Sequence, residues 1–406
     1  MGCTQACATS CEPCTSHFHP AYQLGQKIGK GGFAQVRLGK DVRSNTNVAV
    51  KIMSARTDMA MSEARLLKLV GASQHCVRLL DCYFENGLSY VVLDLCDATL
   101  FATFERVKVL TEHSVVPFAV GMLKGISHVH QLGIVHRDVK PDNFLCSGPQ
   151  CTVKLCDFGV ASLLSCPTDE TAIGVSGTTA FLSPEMILGK RYGTKTDIWS
   201  LGVLMYSLFF GCLPYDSKDC TSSGLKQSIK SGSIPPSYAL PASLRQTGSL
   251  PVSMRAQDFV RAMLVREPSR RMTAVEAMSS PYLTEACGLH VAGAPSIRPM
   301  LHSAQRLLTH SEVDFEDHFD AVNRRLRRLQ ETFQGQSEYD FTKSGSAGMP
   351  LSSSVPTRRR SSASAGSKGN DALSSECSTN AGSIGLTAET SSSSLQSARM
   401  STSRHS

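Results

Sequence analysis

The secondary-structure pattern of the sequence changes along residues 21–283, and this change is the strongest constraint on the fold. Short β-rich runs come first, and longer helical patterns follow them. The β-rich runs lie at 35–38, 47–52 and 88–95, and the clearest helical patterns lie at 115–131 and 196–210. Strands followed by helices, rather than alternating with them, are typical of α+β proteins. The sequence therefore predicts one α+β domain with a sheet-rich part and a helix-rich part.

The regions that flank this domain differ from it in composition. Residues 1–20 are rich in Cys, Thr and Ser and predict a flexible leader, and residues 284–334 predict a linker and an amphipathic helix. Apolar residues of that helix recur every three or four positions and share one face. They are Phe315, Phe319, Val322, Leu326, Leu329 and Phe333. Residues 335–406 are Ser-rich and poor in apolar residues, so we expect them to be disordered.

Charge and cysteine content narrow the classes of function. The net charge of +7 is spread along the chain, which does not favour nucleic-acid binding. The 15 cysteines do not favour a secreted disulfide protein, because no secretory signal is visible at the start. We expect reduced thiols packed as small apolar side chains, and a cytoplasmic protein. No apolar run is long enough to predict a membrane span.

A glycine-rich segment and a lone lysine mark a candidate phosphate site. Residues 29–36 lie between two strand-like runs, and glycines such as Gly31 let a backbone approach phosphate groups closely. Lys51 follows on the next apolar strand, where a buried charge needs an acidic partner. Glu63 opens a good helical pattern and is the predicted partner, whereas Asp58 lies too close to the end of the strand.

A charged loop at 136–143 lies between apolar, strand-like segments. Asn143 ends this loop, and Asp157 follows on the next loop. Their side-chain oxygens are the hard ligands that Mg²⁺ prefers. Asp138 and Lys140 then remain to handle a hydroxyl group and a transferred phosphoryl group.

Taken in order, these segments resemble the protein kinase family over about residues 22–283. Three further segments match in the same order: 183–185, 197–202 and 268–273. The resemblance implies a two-lobed fold, with a small β-rich N-lobe that holds one key helix and a larger helical C-lobe. It also implies a buried ion pair between Glu185 and Arg271, and hydrogen bonds from the catalytic-loop backbone to Asp197.

The resemblance also implies a role for each candidate residue in phosphoryl transfer. Lys51 would bind the α and β phosphates of ATP, with Mg²⁺ held by Asn143 and Asp157. Asp138 would accept or orient the proton of the attacking hydroxyl. Lys140 would neutralise charge on the transferring group.

Further residues would form the pocket for ATP. They are Ile28, Val36, Ala49 and Leu145 around adenine, the backbone of Asp94 and Cys96 along its edge, and Gly29 and Gly31 beside the phosphates. Ala34 stands where the family usually has the third glycine of the loop, and its small side chain still leaves room for phosphate.

Two features resemble the serine/threonine branch of the family. Lys140 stands two residues after Asp138, and Thr178 also resembles the serine/threonine kinases. Arg137 resembles kinases that are controlled by phosphorylation of the activation segment, residues 157–185. This segment offers three candidate hydroxyls: Thr168, Thr171 and Ser176.

Two other classes of function stay open. One is a pseudokinase scaffold, which the complete set of predicted ATP and Mg²⁺ residues disfavours. The other is a partner-binding module built by the predicted helix at 311–334, whose apolar face would dock equally well on the kinase domain itself. Asp142 separately predicts protein substrates with basic residues before the target Ser or Thr.

The first residues resemble a lipidation signal. After removal of Met1, Gly2 would take a myristoyl group and Cys3 a palmitoyl group, and together they would hold the kinase at a membrane. Ala6 departs from the usual motif, which has Ser or Thr at that position. The alternatives are an unmodified leader and a zinc site with a spacing too compact for known zinc fingers. That zinc site would use Cys11, Cys14, His17 and His19.

Overall fold

The computed structural model describes most of the first three quarters of the chain. The described residues are 17–30, 34–54, 57–217, 221–246, 249, 251–285 and 294–309. The predictions for Gly2, Cys3, the helix at 311–334 and the tail at 335–406 lie outside these residues. Cys11 and Cys14 of the alternative zinc site do so as well.

The first part of the described chain is a five-stranded antiparallel sheet with one long helix. In chain order its elements are α1 (Phe18–Ala21), β1 (Tyr22–Lys30), β2 (Ala34–Asp41), β3 (Asn47–Ser54), α2 (Thr57–Val70), β4 (Leu79–Glu85) and β5 (Leu88–Asp94). The strands lie in the order β1-β2-β3-β5-β4. This N-lobe contains the three β-rich runs predicted from the sequence.

The sheet separates an apolar face from a face that carries polar chemistry. Successive side chains of a strand point to opposite faces, and on β3 the side chains of Val48, Val50 and Ile52 join one apolar cluster. The ring of Phe18 completes that cluster and stacks on Tyr90, with 4.2 Å between ring centroids. Lys51, between Val50 and Ile52, therefore projects from the opposite face.

Phe18 also corrects the prediction of a flexible leader over residues 1–20. Its side chain is 0% exposed, as fully buried as any core residue. The physical reason is that the tyrosine-rich outer face of the sheet needs an apolar cover, and a buried aromatic side chain contributes a large hydrophobic free energy. At its end, the segment predicted to be flexible is thus part of the folded domain.

The second part of the described chain is mainly helical. Its elements are β6 (Ala98–Thr99), α3 (Leu100–Arg106), α4 (Glu112–Gln131), β7 (Ile134–Val135), β8 (Phe144–Ser147), β9 (Thr152–Leu155), β10 (Ser162–Leu163), α5 (Pro184–Ile187), α6 (Lys195–Phe210), α7 (Ser222–Ser231), α8 (Ala242–Gln246), α9 (Met254–Met263), α10 (Ala274–Met278), α11 (Pro281–Glu285) and α12 (Arg298–Thr309). Short 3-10 turns lie at Pro141–Asn143, Thr179–Phe181 and Pro268–Arg270. The predicted two-lobed α+β fold is confirmed.

Helices α4 and α6 form the centre of this C-lobe and confirm the two helices predicted there. Thr111 begins α4 through a reciprocal capping box with Ser114. Gly211 ends α6 in the left-handed conformation, with a φ of 65°. Every residue of α6 from Thr196 to Phe210 is buried, as expected of a helix surrounded by the rest of a lobe. None of the helices in the described ranges could cross a membrane.

Helix α12 corrects the prediction of a linker between residue 284 and residue 310. Ile297, Met300, Leu301 and Ala304 are buried, at the spacing of one helical face. The amide of Ile297 donates to the carbonyl oxygen of Leu110 at 2.7 Å, which joins the start of the helix to the C-lobe. A helix with one apolar face is stable here because the C-lobe covers that face.

Candidate active site

Lys51 lies at the centre of a buried group of charges. Its Nζ donates to both carboxylate oxygens of Glu63, at 2.7 and 2.8 Å, and to Oδ1 of Asp157 at 2.7 Å. Glu63 reaches it from the buried face of α2, next to Ala64. The predicted pairing of Lys51 with Glu63 is confirmed, and Asp58 lies exposed on the first turn of α2.

The charges of this group stabilise one another. Burial lowers the pKa of Lys51, but the nearby carboxylates of Asp157 and Glu63 outweigh that effect and raise it overall. Burial raises the pKa of Asp157, but the attraction of Lys51 outweighs it and brings the pKa to about 2. Lys51 and Asp157 are therefore charged at neutral pH. At Glu63 burial outweighs the attraction of Lys51 and raises the pKa, so the charge pair that the group holds most firmly is Lys51 with Asp157.

The backbone around Asp157 is held in an uncommon conformation. Asp157 has a φ of 62°, in the left-handed region that residues other than glycine rarely adopt. Phe158 is buried and packs its ring against the ring of His136, with 5.1 Å between centroids. At Gly159, a Cβ would lie 3.2 Å from Oδ1 of Asp157 and 3.4 Å from Nζ of Lys51. Packing on one side and a glycine on the other thus hold the Asp157 carboxylate against Lys51.

Asp138 is the centre of a second polar group, which contains the four predicted catalytic residues. Its Oδ1 accepts from the backbone amide of Thr178 at 2.9 Å and from the Thr178 hydroxyl at 3.0 Å. The side-chain amide of Asn143 donates to Oδ2 of Asp138 at 3.0 Å. The ammonium of Lys140 lies 3.2 Å from that oxygen and donates to the Thr178 hydroxyl at 3.0 Å. Thr178 thereby joins the activation segment directly to the catalytic loop.

Asp197 holds the backbone of the catalytic loop, as the family resemblance predicted. Its carboxylate accepts from the backbone amides of His136 and Arg137, both at 2.9 Å, and from the ring of His130 at 2.8 Å. Burial raises the pKa of Asp197, but hydrogen bonds and attraction, first from His130, outweigh burial and lower it. A fully buried, ionised carboxylate with these partners fixes the backbone immediately before Asp138.

The two predicted magnesium ligands lie on neighbouring segments. Strands β8 and β9 form a hairpin in which Phe144 pairs with Leu155, and the amide of Cys156 donates to the carbonyl oxygen of Asn143 at 2.9 Å. The NH₂ of Asn143 binds Asp138, which leaves the Asn143 side-chain oxygen as an acceptor. This donor set fits Mg²⁺, which keeps much of its shell for water and phosphate oxygens. No cluster of three or more His, Cys, Asp or Glu residues suited to a metal occurs in the described ranges.

The predicted adenine pocket lies where the two lobes meet. Gly29 pairs with Val36 across the β1–β2 hairpin, and Val36 pairs with Lys51. Ala49 and Leu145 are half-buried, as is Val36, whereas Ile28 is 45% exposed. The tip of the hairpin, residues 31–33, lies outside the described residues, so Gly31 has no described position.

The segment that joins the lobes carries an ion pair that sequence reasoning missed. The carboxylate of Asp94 binds the ammonium of Lys154 on β9, and it accepts from the amide of Arg78 at 2.6 Å. The amide of Asp94 donates to the Arg78 carbonyl at 3.1 Å, so its own carbonyl is the group it could offer to adenine. Cys96 lies half-buried two residues further on. The predicted adenine contacts of Asp94 and Cys96 stay predictions.

Sequence reasoning also missed Tyr192, which lies just after α5. Its hydroxyl donates to the carbonyl oxygen of Gly174 in the activation segment at 2.8 Å. No motif marked this tyrosine, because its role depends on a contact with a distant, irregular segment. By contrast, the predicted ion pair of Glu185 and Arg271 is confirmed, with oxygen–nitrogen distances of 2.7 and 3.0 Å.

Comparison with known families agrees with this arrangement. The sequence model of the protein kinase domain matches residues 22–283, which is more than half of the chain. The match includes both charged groups, around Lys51 and around Asp138, and the buried ion pair behind them. The chain belongs to the protein kinase family.

Proposed function

We propose that this protein is a catalytically competent serine/threonine kinase, which transfers the γ-phosphate of Mg-ATP to Ser and Thr hydroxyls of proteins. The observation that carries the proposal is the pair of charged groups described above. Lys51 contacts both Glu63 and Asp157, and Asp138 contacts Lys140 and Thr178. Phosphoryl transfer depends mainly on positioning and charge neutralisation, and these groups supply both.

In the proposed mechanism the α and β phosphates of ATP bind beside Lys51. Its ammonium would exchange the Asp157 carboxylate for phosphate oxygens while Glu63 keeps it in place. Magnesium bound by Asn143 and Asp157 would supply positive charge against the phosphates. The substrate hydroxyl oxygen forms a bond to the γ phosphorus as the bond to the β–γ bridging oxygen breaks, which releases ADP.

Asp138 and Lys140 act at the other end of that reaction. Asp138 would orient the substrate hydroxyl and accept its proton, because its carboxylate already binds the Thr178 hydroxyl at hydrogen-bond distance. Lys140, which lies 3.2 Å from that carboxylate, would neutralise the charge on the moving phosphoryl group. Asn143 keeps Asp138 in position through its side-chain amide.

A pseudokinase scaffold is the alternative function, and turnover separates the two. The purified chain is incubated with Mg-ATP and a generic basic protein, and ADP release and labelled protein are both measured. The kinase proposal expects both products, and expects Asp157→Asn to abolish both while the variant still melts cooperatively. ATP binding without either product from the wild-type chain would favour the scaffold.

Specificity for Ser and Thr is supported by the contacts of Lys140. The ammonium of Lys140 donates to the Thr178 hydroxyl and lies 3.2 Å from the Asp138 carboxylate. It therefore connects the activation segment to the catalytic loop at the site proposed for the substrate hydroxyl. The resemblance to serine/threonine kinases rests on the same residues. Phosphoamino-acid analysis of labelled cell protein tests it, with phosphoserine and phosphothreonine as the expected products.

Attachment to a membrane through Gly2 and Cys3 is also a proposal, and it is independent of the chemistry. The leader meets the folded domain at Phe18, whose ring is buried on the outer face of the N-lobe sheet. Fractionation of cells that express Gly2→Ala beside the wild type tests it. The anchor predicts more soluble kinase for the variant, and equal soluble fractions would contradict it.

A further inference from the structure

The activation segment is attached to the C-lobe through Tyr192. The backbone of Ala172 forms two hydrogen bonds with the backbone of Tyr192, at 3.0 and 3.1 Å. The Tyr192 side chain is 2% exposed, and its hydroxyl donates to the carbonyl oxygen of Gly174 at 2.8 Å. The middle of the segment is therefore held by both the backbone and the side chain of one residue.

Arg137 connects this attachment to the catalytic loop. Its guanidinium donates to the carbonyl oxygen of Val160, near the start of the activation segment. Its Nη1 lies 3.4 Å from the carbonyl oxygen of Ile173 and 3.5 Å from the hydroxyl of Tyr192. The backbone amide of Arg137 is held by Asp197 at 2.9 Å. Arg137 thus meets oxygen acceptors from the start of the segment, from its middle and from Tyr192.

Gly177 and Thr178, further along the activation segment, lie close to the catalytic loop. Gly177 has a φ of 106°, and a Cβ there would lie 2.3 Å from the carbonyl oxygen of Arg137. Only glycine permits this approach. It brings the next residue, Thr178, onto the carboxylate of Asp138. The position of Thr178 therefore depends on the position of the segment beside Arg137.

Among the described residues, none of the three hydroxyls predicted as phosphorylation sites bonds the guanidinium of Arg137. Thr168 and Thr171 are exposed, and Ser176 is half-buried. The hydroxyl of Thr168 pairs with the thiol of Cys166 at 3.4 Å. Within the described part of the chain, the acceptors of the Arg137 guanidinium are the two carbonyls and the Tyr192 hydroxyl. Oxygen atoms of the chain itself thus contact two of the three guanidinium nitrogens and supply part of the bonding that a phosphate group would otherwise provide.

We propose that Tyr192 is a positioning residue, which holds the activation segment against Arg137 in the arrangement that catalysis requires without phosphorylation of the segment. This inference rests on the proposed kinase function. It replaces the expectation that phosphorylation of Thr168, Thr171 or Ser176 switches the enzyme on. Tyr192 acts through Gly174 and Arg137, and it does not touch the reacting groups.

The chain offers a matched control for a test of Tyr192. Tyr215 is also a buried tyrosine, and its hydroxyl accepts from Arg266 at 3.3 Å, but its ring stacks on Trp199, away from the activation segment. Tyr192→Phe and Tyr215→Phe each remove one buried hydroxyl. Loss of the partner of a buried polar group costs similar free energy in both variants. Only Tyr192→Phe should alter the activation segment.

The experiment uses the full-length chain, treated with a protein phosphatase and checked by mass spectrometry to carry no phosphate. We expect this enzyme, and the triple variant Thr168→Ala, Thr171→Ala, Ser176→Ala, to keep kcat within about twofold of the untreated wild type. We expect Tyr192→Phe to lower kcat about tenfold at an unchanged KM for ATP, in line with one lost buried hydrogen bond. Hydrogen exchange should speed up over residues 169–178 in this variant and not in Tyr215→Phe.

Three outcomes would overturn the inference. One is loss of most activity on dephosphorylation of the wild type, with recovery on rephosphorylation, which leaves the kinase proposal intact. Another is an equal decrease in kcat for Tyr192→Phe and Tyr215→Phe. The third is absence of phosphotransfer from untreated and treated enzyme alike, which would contradict the proposed function and this inference with it.

Discussion

Two groups of charged side chains in the described part of this kinase differ in the ratio of carboxyl groups to basic groups. In the first, the single ammonium of Lys51 faces the carboxylates of Glu63 and Asp157. In the second, the guanidinium of Arg271 binds the carboxylate of Glu185 through two nitrogens, at 2.7 and 3.0 Å. The first lies at the cleft between the lobes, and the second lies inside the C-lobe.

The second group is enclosed by the protein, with the Arg271 side chain 0% exposed and that of Glu185 3% exposed. Each nitrogen of Arg271 has an acceptor, because carbonyl oxygens of Val265, Lys195 and Arg266 supplement Glu185. Its guanidinium also lies 5.1 Å from the ring centre of Trp199. Such a group joins the end of the activation segment to the rest of the C-lobe, and it has nothing to offer a ligand.

The first group has two carboxyl groups for one ammonium, and one of the two faces solvent. The side chain of Asp157 is 41% exposed, whereas that of Glu63 is 1% exposed. Glu63 therefore holds Lys51, and Asp157 is available to a cation. We infer that the buried ion pair of Glu185 and Arg271 stabilises the fold, whereas the partly exposed Lys51 group is suited to binding a cation.

The largest expected effect separates activity from stability at the first group. Lys51→Met and Asp157→Asn should each lower kcat/KM by about 10²-fold or more, because each removes charge that acts on the transferring phosphate. Both variants should still unfold cooperatively in urea. Activity is measured by initial rates with a basic protein substrate. Near wild-type turnover in either variant would contradict a role for the first group in phosphoryl transfer.

At the second group the expected loss is one of stability. Arg271→Met leaves the Glu185 carboxylate buried without its partner, so we expect the free energy of unfolding to fall by about 3–5 kcal/mol. Arg255→Met is the control, because its partner Glu285 forms an exposed pair worth about 1 kcal/mol or less. Urea denaturation measures both. Equal losses for the two variants would show that burial does not distinguish them.

An apolar contact outside the family match sharpens the comparison, because it holds the fold without charge. Leu301 on α12 is 0% exposed, and Leu301→Ala should lower the free energy of unfolding by about 2–5 kcal/mol. Leu307 on the same helix is 45% exposed, so Leu307→Ala should change it by about 0.5 kcal/mol or less. Urea denaturation measures the free energy of unfolding of both variants. Indistinguishable curves for the two variants would mean that α12 does not belong to the folded unit.

The pH dependence of the first group follows from Asp157. Its pKa is about 2 in the folded protein, below its ordinary value of 3.8, so its stabilising effect is complete above the ordinary value and is lost as pH falls towards 2. The difference in melting temperature between wild type and Asp157→Asn should therefore stay constant from about pH 8 to about pH 5. A difference that already shrinks between pH 7 and pH 6 would contradict an ionised, lysine-bound Asp157.

The smallest expected effect concerns an acid that belongs to neither group. Asp142 is exposed on the catalytic loop, and we expect it to favour basic residues before the target hydroxyl. Asp142→Ala should reduce that preference by a few fold in a peptide library, at unchanged activity on a peptide without basic residues. An unaltered library profile would leave Asp142 as a solvated loop residue.

The sequence predicted the charged groups well because their spacing repeats a family pattern. Lys51 and Glu63 lie within β3 and α2, elements whose type could be predicted from apolar periodicity, and Asp138 and Asn143 lie on the loop between β7 and β8. Their side chains then meet because strands and loops of this fold converge on one cleft. The two-lobed fold followed from the same motifs, in the order in which they occur.

The sequence could not predict contacts that depend on irregular backbone or on distant partners. Phe18 and α12 were assigned to flexible segments because each needs a surface built by other parts of the chain. The same holds for Tyr192, whose hydroxyl meets a segment without periodicity. In each case a few buried atoms decide the outcome, and no local pattern records them.

Transfer of labelled phosphate from Mg-ATP to three peptides tests the central claim most directly. The peptides differ only in the target residue, which is Ser, Thr or Tyr, and they are offered to the wild-type chain and to Asp138→Asn. The account predicts labelled Ser and Thr peptides with the wild type, no labelled Tyr peptide, and transfer reduced by about 10²-fold or more in the variant. Equal transfer by Asp138→Asn, or label on the Tyr peptide alone, would contradict it.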